Sequence, residues 1–91
     1  RRSDFMKSVT FTICNDEGLH ARPATDFCEK VMGFRSTITV RKQRDEDAFE
    51  AKSILSVLCL GAVKGDAITI TANGSDEEAA LKALVGVLEN A

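Results

Sequence analysis

Tryptophan and tyrosine are absent from this chain, and histidine and proline occur once each. With a net charge of −2 and phenylalanine as its sole aromatic, it lacks both the basic face that neutralises phosphates and the platforms on which bases stack, so nucleic acid is not an expected partner. No apolar run reaches bilayer length and no secretory apolar segment opens the sequence, so no membrane insertion is expected. Cysteine is sparse and odd in number: Cys14, Cys28 and Cys59 form no C-x-x-C pair, which argues against a disulfide framework. They are expected to be reduced, mostly buried thiols in a cytoplasmic protein. Combined with His20 they match no zinc spacing, so no metal or cofactor is expected.

What is present is ordinary globular composition, 44% hydrophobic and 29% charged over 91 residues, enough for one core but not two. Residues 1–5, "RRSDF", are read as an added remnant or a frayed tail. The folded domain is expected over 6–91. A piece cut from a larger polypeptide is the other possibility.

Val9, Phe11 and Ile13 alternate with threonines, which predicts a half-buried strand ending near Cys14. Ala24, Phe27, Cys28 and Val31 then fall on one face of a helix, for which Gly33 is expected to supply a left-handed cap. Alternation returns at Thr37 to Val40. A charged, glycine-free connection, "RKQRDED", leads to a short strand near Ala48 to Ala51, expected to pair with the one before it. Ser53 opens a short apolar helix closed by Gly61, and "KGD" forms a turn into a strand over Ala67 to Ala72. The last segment is a helix with Leu81, Leu84, Val85 and Leu88 as its apolar stripe. Ser75 and Glu78 have capping-box spacing there, and Asp76, Glu77 and Glu78 suit the positive end of its dipole. Helices interspersed among strands with one apolar face predict an α+β open-faced sandwich, a single sheet covered on one side. Several folds share this order of elements.

The candidate site is "GLHARPAT", where His20 lies between the first strand and the first helix. A helix N-terminus offers unpaired amides and partial positive charge. Both disfavour an imidazolium, and a neutral ring keeps a lone pair that can act as a nucleophile. Arg22 adds a permanent cation suited to phosphate oxygens, and Pro23 stiffens the first turn, where its missing N–H costs little. A lone histidine is more often a cap or a surface residue, but glycine before it, arginine after it and proline beyond make this stretch specific.

"GLHARPAT" resembles the active-site loop of the HPr family, the histidine-containing phosphocarriers of the bacterial phosphoenolpyruvate:sugar phosphotransferase system. "AKSILSVLCLGAVKGD" resembles the family's second signature, and the likeness runs from about Met6 to the terminal helix. It implies four antiparallel strands with three helices on one face, in the order βαββαβα, and a monomeric carrier rather than an enzyme. It further implies that His20 takes a phosphoryl group on Nδ1 from enzyme I and passes it to enzyme II A components. Arg22 would then bind the group and Pro23 order the loop.

Ser53 reads as an N-cap on its own chemistry. The resemblance adds regulatory phosphorylation by an HPr kinase, which recruits transcriptional regulators, and a partner-binding surface made by Ile54, Leu55 and Leu58 with Lys52 at its rim. Ile54 and Leu58 are accordingly expected to be more exposed than their chemistry suggests. Two departures stand out. "RKQRDEDAF" is long, charged and without the usual Asn-Gly or Asp-Gly turn, and Glu17 replaces a small neutral polar residue. Its side chain is expected to turn to solvent. The alternatives are a carrier in a nitrogen-related or regulatory relay and, more remotely, a small-molecule-binding regulatory domain in which His20 only caps its helix.

Overall fold

The computed structural model describes residues 6–91, so the reading of residues 1–5 as a tail lies outside the described residues. The elements are β1 (Met6–Thr12), α1 (Ala21–Met32), β2 (Thr37–Lys42), β3 (Phe49–Glu50), α2 (Ile54–Leu60), β4 (Ala67–Asn73) and α3 (Glu77–Glu89). The four strands form one sheet in the order β1-β4-β2-β3, and every neighbouring pair is antiparallel.

Alternation decides which face of the sheet is covered. Ile38, Val40, Ile68 and Ile70 point inward and are fully buried, whereas Ser8, Thr10, Thr69 and Thr71 face outward and pair across strands through their hydroxyls. The helices lie on the inward face. Phe27 and Val31 of α1, Val57 of α2 and Leu84 of α3 close a single core with it. The expected α+β open-faced sandwich with four antiparallel strands and three helices on one face is the observed fold.

Several local expectations change. β1 stops at Thr12, because Ile13 leaves the ladder to bond the "KGD" turn. Its N–H donates to Asp66 and its carbonyl accepts from Gly65, both at 2.8 Å. Gly33 caps α1 with φ −80°; the helix ends through bonds from Gly33 to Lys30 and from Phe34 to Val31, so no left-handed residue is needed. The capping box at Ser75 and Glu78 does not form. Asp76 is the N-cap of α3 but makes no side-chain bond to it, because its carboxylate accepts from the Arg35 and Ser36 amides and from the Ser36 hydroxyl. Glu77 reaches back to the Gly74 amide at 3.1 Å, and Glu78 instead pairs with Lys7. The buried stripe of α3 runs through Ala80, Leu81, Leu84 and Leu88; Val85 is only half-buried, and Val87 packs at the edge of the core. Of the cysteines only Cys28 is buried, and Cys14 and Cys59 are exposed.

The glycine-free β2–β3 connection is closed by a bond from the Asp45 amide to the Lys42 carbonyl at 2.9 Å. The Arg41 guanidinium donates to the Gln43 and Asp45 carbonyls, each at 3.1 Å. One guanidinium nitrogen, Nη1 of Arg41, does here what a left-handed Asn-Gly pair does in tighter hairpins.

Candidate functional site

The loop between β1 and α1 is held by main-chain contacts to the segment between α2 and β4. The Leu19 N–H donates to the Ala62 carbonyl at 3.0 Å, and the Leu19 side chain is fully buried. Gly18 has φ +69°, and a Cβ there would lie 2.6 Å from the Ala62 carbonyl oxygen and 2.8 Å from the Val63 Cα. Only glycine lets the two backbones approach so closely. Asn15 closes the other side, its amide nitrogen donating to the Gly18 carbonyl at 2.9 Å.

The supporting segment is itself fastened by Asp66. Its carboxylate accepts from the Val63 amide at 3.0 Å and faces the Arg44 guanidinium at 3.3 Å and the Lys42 ammonium at 3.9 Å. The Val63 amide first, then the two cations, hold its carboxyl below the ordinary carboxylate range against the opposing effect of burial.

His20 follows directly as the N-cap of α1, extended at φ −135° and ψ 170°, and half-buried. Its carbonyl accepts the first helical bond, from Ala24 at 3.4 Å, but its ring makes no capping bond. The imidazole is therefore not spent on closing the helix. The next residue, Ala21, has φ +52°, a left-handed backbone that an L-residue adopts at a cost. The amides of Ala21 and Arg22 precede the first intrahelical bond. Pro23 is buried and anchors the turn to the core.

Electrostatically the two long helices differ. The first turn of α3 carries Glu77 and Glu78, whereas that of α1 has no acid and contains Arg22. No acidic side chain in the first turn of α1 offsets the positive end of its dipole, so that end is left to favour an anion. Arg22 is largely exposed, and its Nε lies 3.9 Å from Asp26 Oδ1. Among the described residues, no hydrogen bond or ion pair joins Arg22 to His20. Glu17 is exposed, as expected, and lines an open groove of about 970 Å³ between α1 and α3 with Arg22, Pro23 and Asp26. His20, half-buried, is not on that wall.

Ser53 is the N-cap of α2, accepting from the Ser56 amide at 3.3 Å. Ile54, Leu55 and Leu58 are 39%, 72% and 36% exposed, an apolar strip uncommon for a soluble surface. Lys52 beside it is half-buried. The helix ends at Gly61, with φ +67°, one residue before the Ala62 carbonyl that receives Leu19. The structure thus brings the histidine loop to the C-terminal end of α2 and leaves Ser53 at the other end of that short helix. Val63 extends the exposed apolar set. Sequence reasoning missed Gly18, Asp66 and Val63 as parts of this region, although the glycine before "LH" and the "KGD" turn marked two of them. Among the described residues no group of three or more His, Cys, Asp or Glu side chains is placed to hold a metal.

Fold and site together define a small open-faced α+β domain that presents one histidine on a helix N-terminus left uncapped by side chains. The family model described as "PTS HPr component phosphorylation site" matches residues 7–90. Phosphocarrier protein HPr of Lysinibacillus sphaericus is 40% identical over 83 residues, covering 91% of this chain and 92% of that one. The solved structure of HPr-C-His from Thermoanaerobacter tengcongensis superposes with a TM-score of 0.87 at 44% identity, covering 92% of each chain. The chain belongs to the HPr family, the phosphocarriers of the phosphotransferase system. It is also 41% identical over 88 residues to the multiphosphoryl transfer protein of Xanthomonas campestris, covering 97% of this chain but only 10% of that protein's length. No helix among the described residues is long and apolar enough to cross a membrane.

Proposed function

We propose that this chain relays phosphoryl groups through His20, accepting them from enzyme I charged by phosphoenolpyruvate and passing them to enzyme II A components for sugar uptake. The observation that carries the reading is the N-terminus of α1, where an imidazole free of capping duty opens a first helical turn that holds Arg22 and no acidic residue. The Nδ1 lone pair attacks the phosphorus of the donor phosphohistidine, and the bond from phosphorus to the donor nitrogen breaks, that nitrogen keeping the electron pair. The dianion is then stabilised by the helix terminus and by Arg22. Transfer of this kind needs position and charge rather than a set of acids and bases, and an open surface lets a second histidine approach for the onward step.

The exposed apolar strip of α2 is the docking face for both partners, with Lys52 at its rim. Phosphorylation of Ser53 by an HPr kinase regulates it, placing a dianion where the helix N-terminus tolerates it but an apolar partner does not. The cytoplasm, where both partners and reduced thiols are found, is the compartment for such a relay.

Incubation with enzyme I and phosphoenolpyruvate tests the reading. Acid-labile phosphate should appear on the wild type and be lost in His20→Ala. Equal label on both proteins removes His20 as the acceptor, and transfer from a nitrogen-type enzyme I in preference to a sugar-type one moves the chain to the other relay.

A further inference from the structure

Asp26 lies one helical turn beyond Arg22, and both residues line the α1–α3 groove, which His20 does not line. The Arg22 Nε to Asp26 Oδ1 separation is 3.9 Å, and the two side chains are 84% and 51% exposed. That is an ion pair too long and too wet to lock, but close enough to bias where the guanidinium rests. It is also poorly explained as a helix stabiliser. An arginine in the first turn opposes the dipole, and the order cation-then-acid at i,i+4 is the less favourable one. The rest of the loop is pinned by buried Leu19 and Pro23 and by main-chain bonds, so the Arg22 side chain is the part left to move.

We propose that Asp26 is a positioning residue for the relay, holding the Arg22 guanidinium off His20 in the unphosphorylated protein and competing for it once a phosphoryl group arrives. The proposal rests on the carrier reading above. In the phosphorylated state Arg22 turns to the phosphoryl oxygens and Asp26 is released to water. The pair therefore contributes on the unphosphorylated side of the equilibrium, which eases surrender of the group to an acceptor.

The test is the equilibrium constant for phosphoryl exchange between enzyme I and the wild type, Asp26→Asn, Asp26→Glu, Arg22→Ala and the double variant. Asp26→Asn should favour the phosphorylated carrier about twofold, the size expected of an exposed i,i+4 pair, and Asp26→Glu should restore the wild-type value. In the Arg22→Ala background the Asn substitution should change nothing. A purely structural role would instead move the thermal midpoint and leave the equilibrium alone. An unchanged equilibrium overturns the proposal, as does the same shift in both backgrounds, which would make Asp26 a distant charge and not a competitor for Arg22. A wild type that takes no label from enzyme I refutes the carrier reading alone. Titration with inorganic phosphate, followed by NMR at the Ala21 amide, then decides the inference: Asp26→Asn must tighten binding about twofold, and only when Arg22 is present.

Discussion

The amide of Leu19 donates to the carbonyl of Ala62 at 3.0 Å, so the residue before the candidate phosphoryl acceptor is bonded to the residue after the α2 cap. The acceptor loop and the proposed docking helix are thus two ends of one backbone junction. Gly18 sits in that junction with no room for a methyl group. Gly18→Ala should cost about 2 kcal/mol or more, from the left-handed backbone and from overlap with main-chain atoms that cannot step aside. Urea unfolding measures the loss. Because the loop must shift to relieve the overlap, the rate of His20 phosphorylation should fall further than stability alone explains.

Leu55 tests the docking face separately from the fold. At 72% exposed it contributes little to the core, so Leu55→Glu should leave stability within about 0.5 kcal/mol of wild type. Transfer from enzyme I should nevertheless weaken tenfold or so, a loss of about 1.4 kcal/mol in encounter-complex free energy. An unchanged KM for the carrier would remove α2 from the interface.

Ser53 has two roles to separate. Ser53→Ala removes the bond to the Ser56 amide and should cost about 1 kcal/mol of stability while leaving phosphoryl transfer intact. Ser53→Asp keeps an acceptor at the cap and should be near wild type in stability. Its added charge on the apolar strip should slow transfer. Equal transfer rates for the two variants would sink the regulatory reading.

Asp66 and Asp76 set the response to acid. The Ser36 hydroxyl first, and then the Arg35 amide, hold the Asp76 carboxyl below its ordinary range, while the Val63 amide does the same for Asp66. A carboxylate depressed in the folded state stabilises it above the unfolded value of about 3.9 and loses that contribution as pH falls through the folded value. Stability should therefore drop below about pH 4, and Asp76→Asn should flatten that drop while lowering stability at neutral pH. Thermal midpoints across the acid range would show it. Asp66→Asn should in addition loosen the segment that carries Ala62, seen as faster hydrogen exchange at Leu19.

How much of this was legible in the sequence depended on the range of each interaction. The cap at Ser53 and the stop at Gly61 were legible because both are decided within one helical turn, although the left-handed backbone expected at Gly33 is found at Gly61 instead. The face of α1 was legible because Ala24, Phe27, Cys28 and Val31 repeat at helical spacing, and all are buried. The capping box on α3 was misread for the opposite reason. Ser75 and Glu78 had the local spacing for it, but Glu78 pairs with Lys7, 71 residues away in the chain. The N-cap is Asp76, whose carboxylate goes to Arg35 and Ser36, 40 residues or more away. Ile13 reads as strand and is buried like one, yet its backbone bonds go to Gly65 and Asp66. The threonines between the inward residues mark a strand without saying where its ladder stops.

The sequence by itself determined the order of elements, the inward faces and the identity of the one histidine, because periodicity and terminal chemistry act between residues a few positions apart. Only the tertiary structure decided that the His20 ring is left free of its helix, that Arg22 rests beside Asp26, and that Gly18 and Leu19 lie against Ala62 and Val63. Those relations depend on which distant backbone groups and carboxylates arrive at the same place, and a competition between local and remote partners is settled only once the chain has closed on itself.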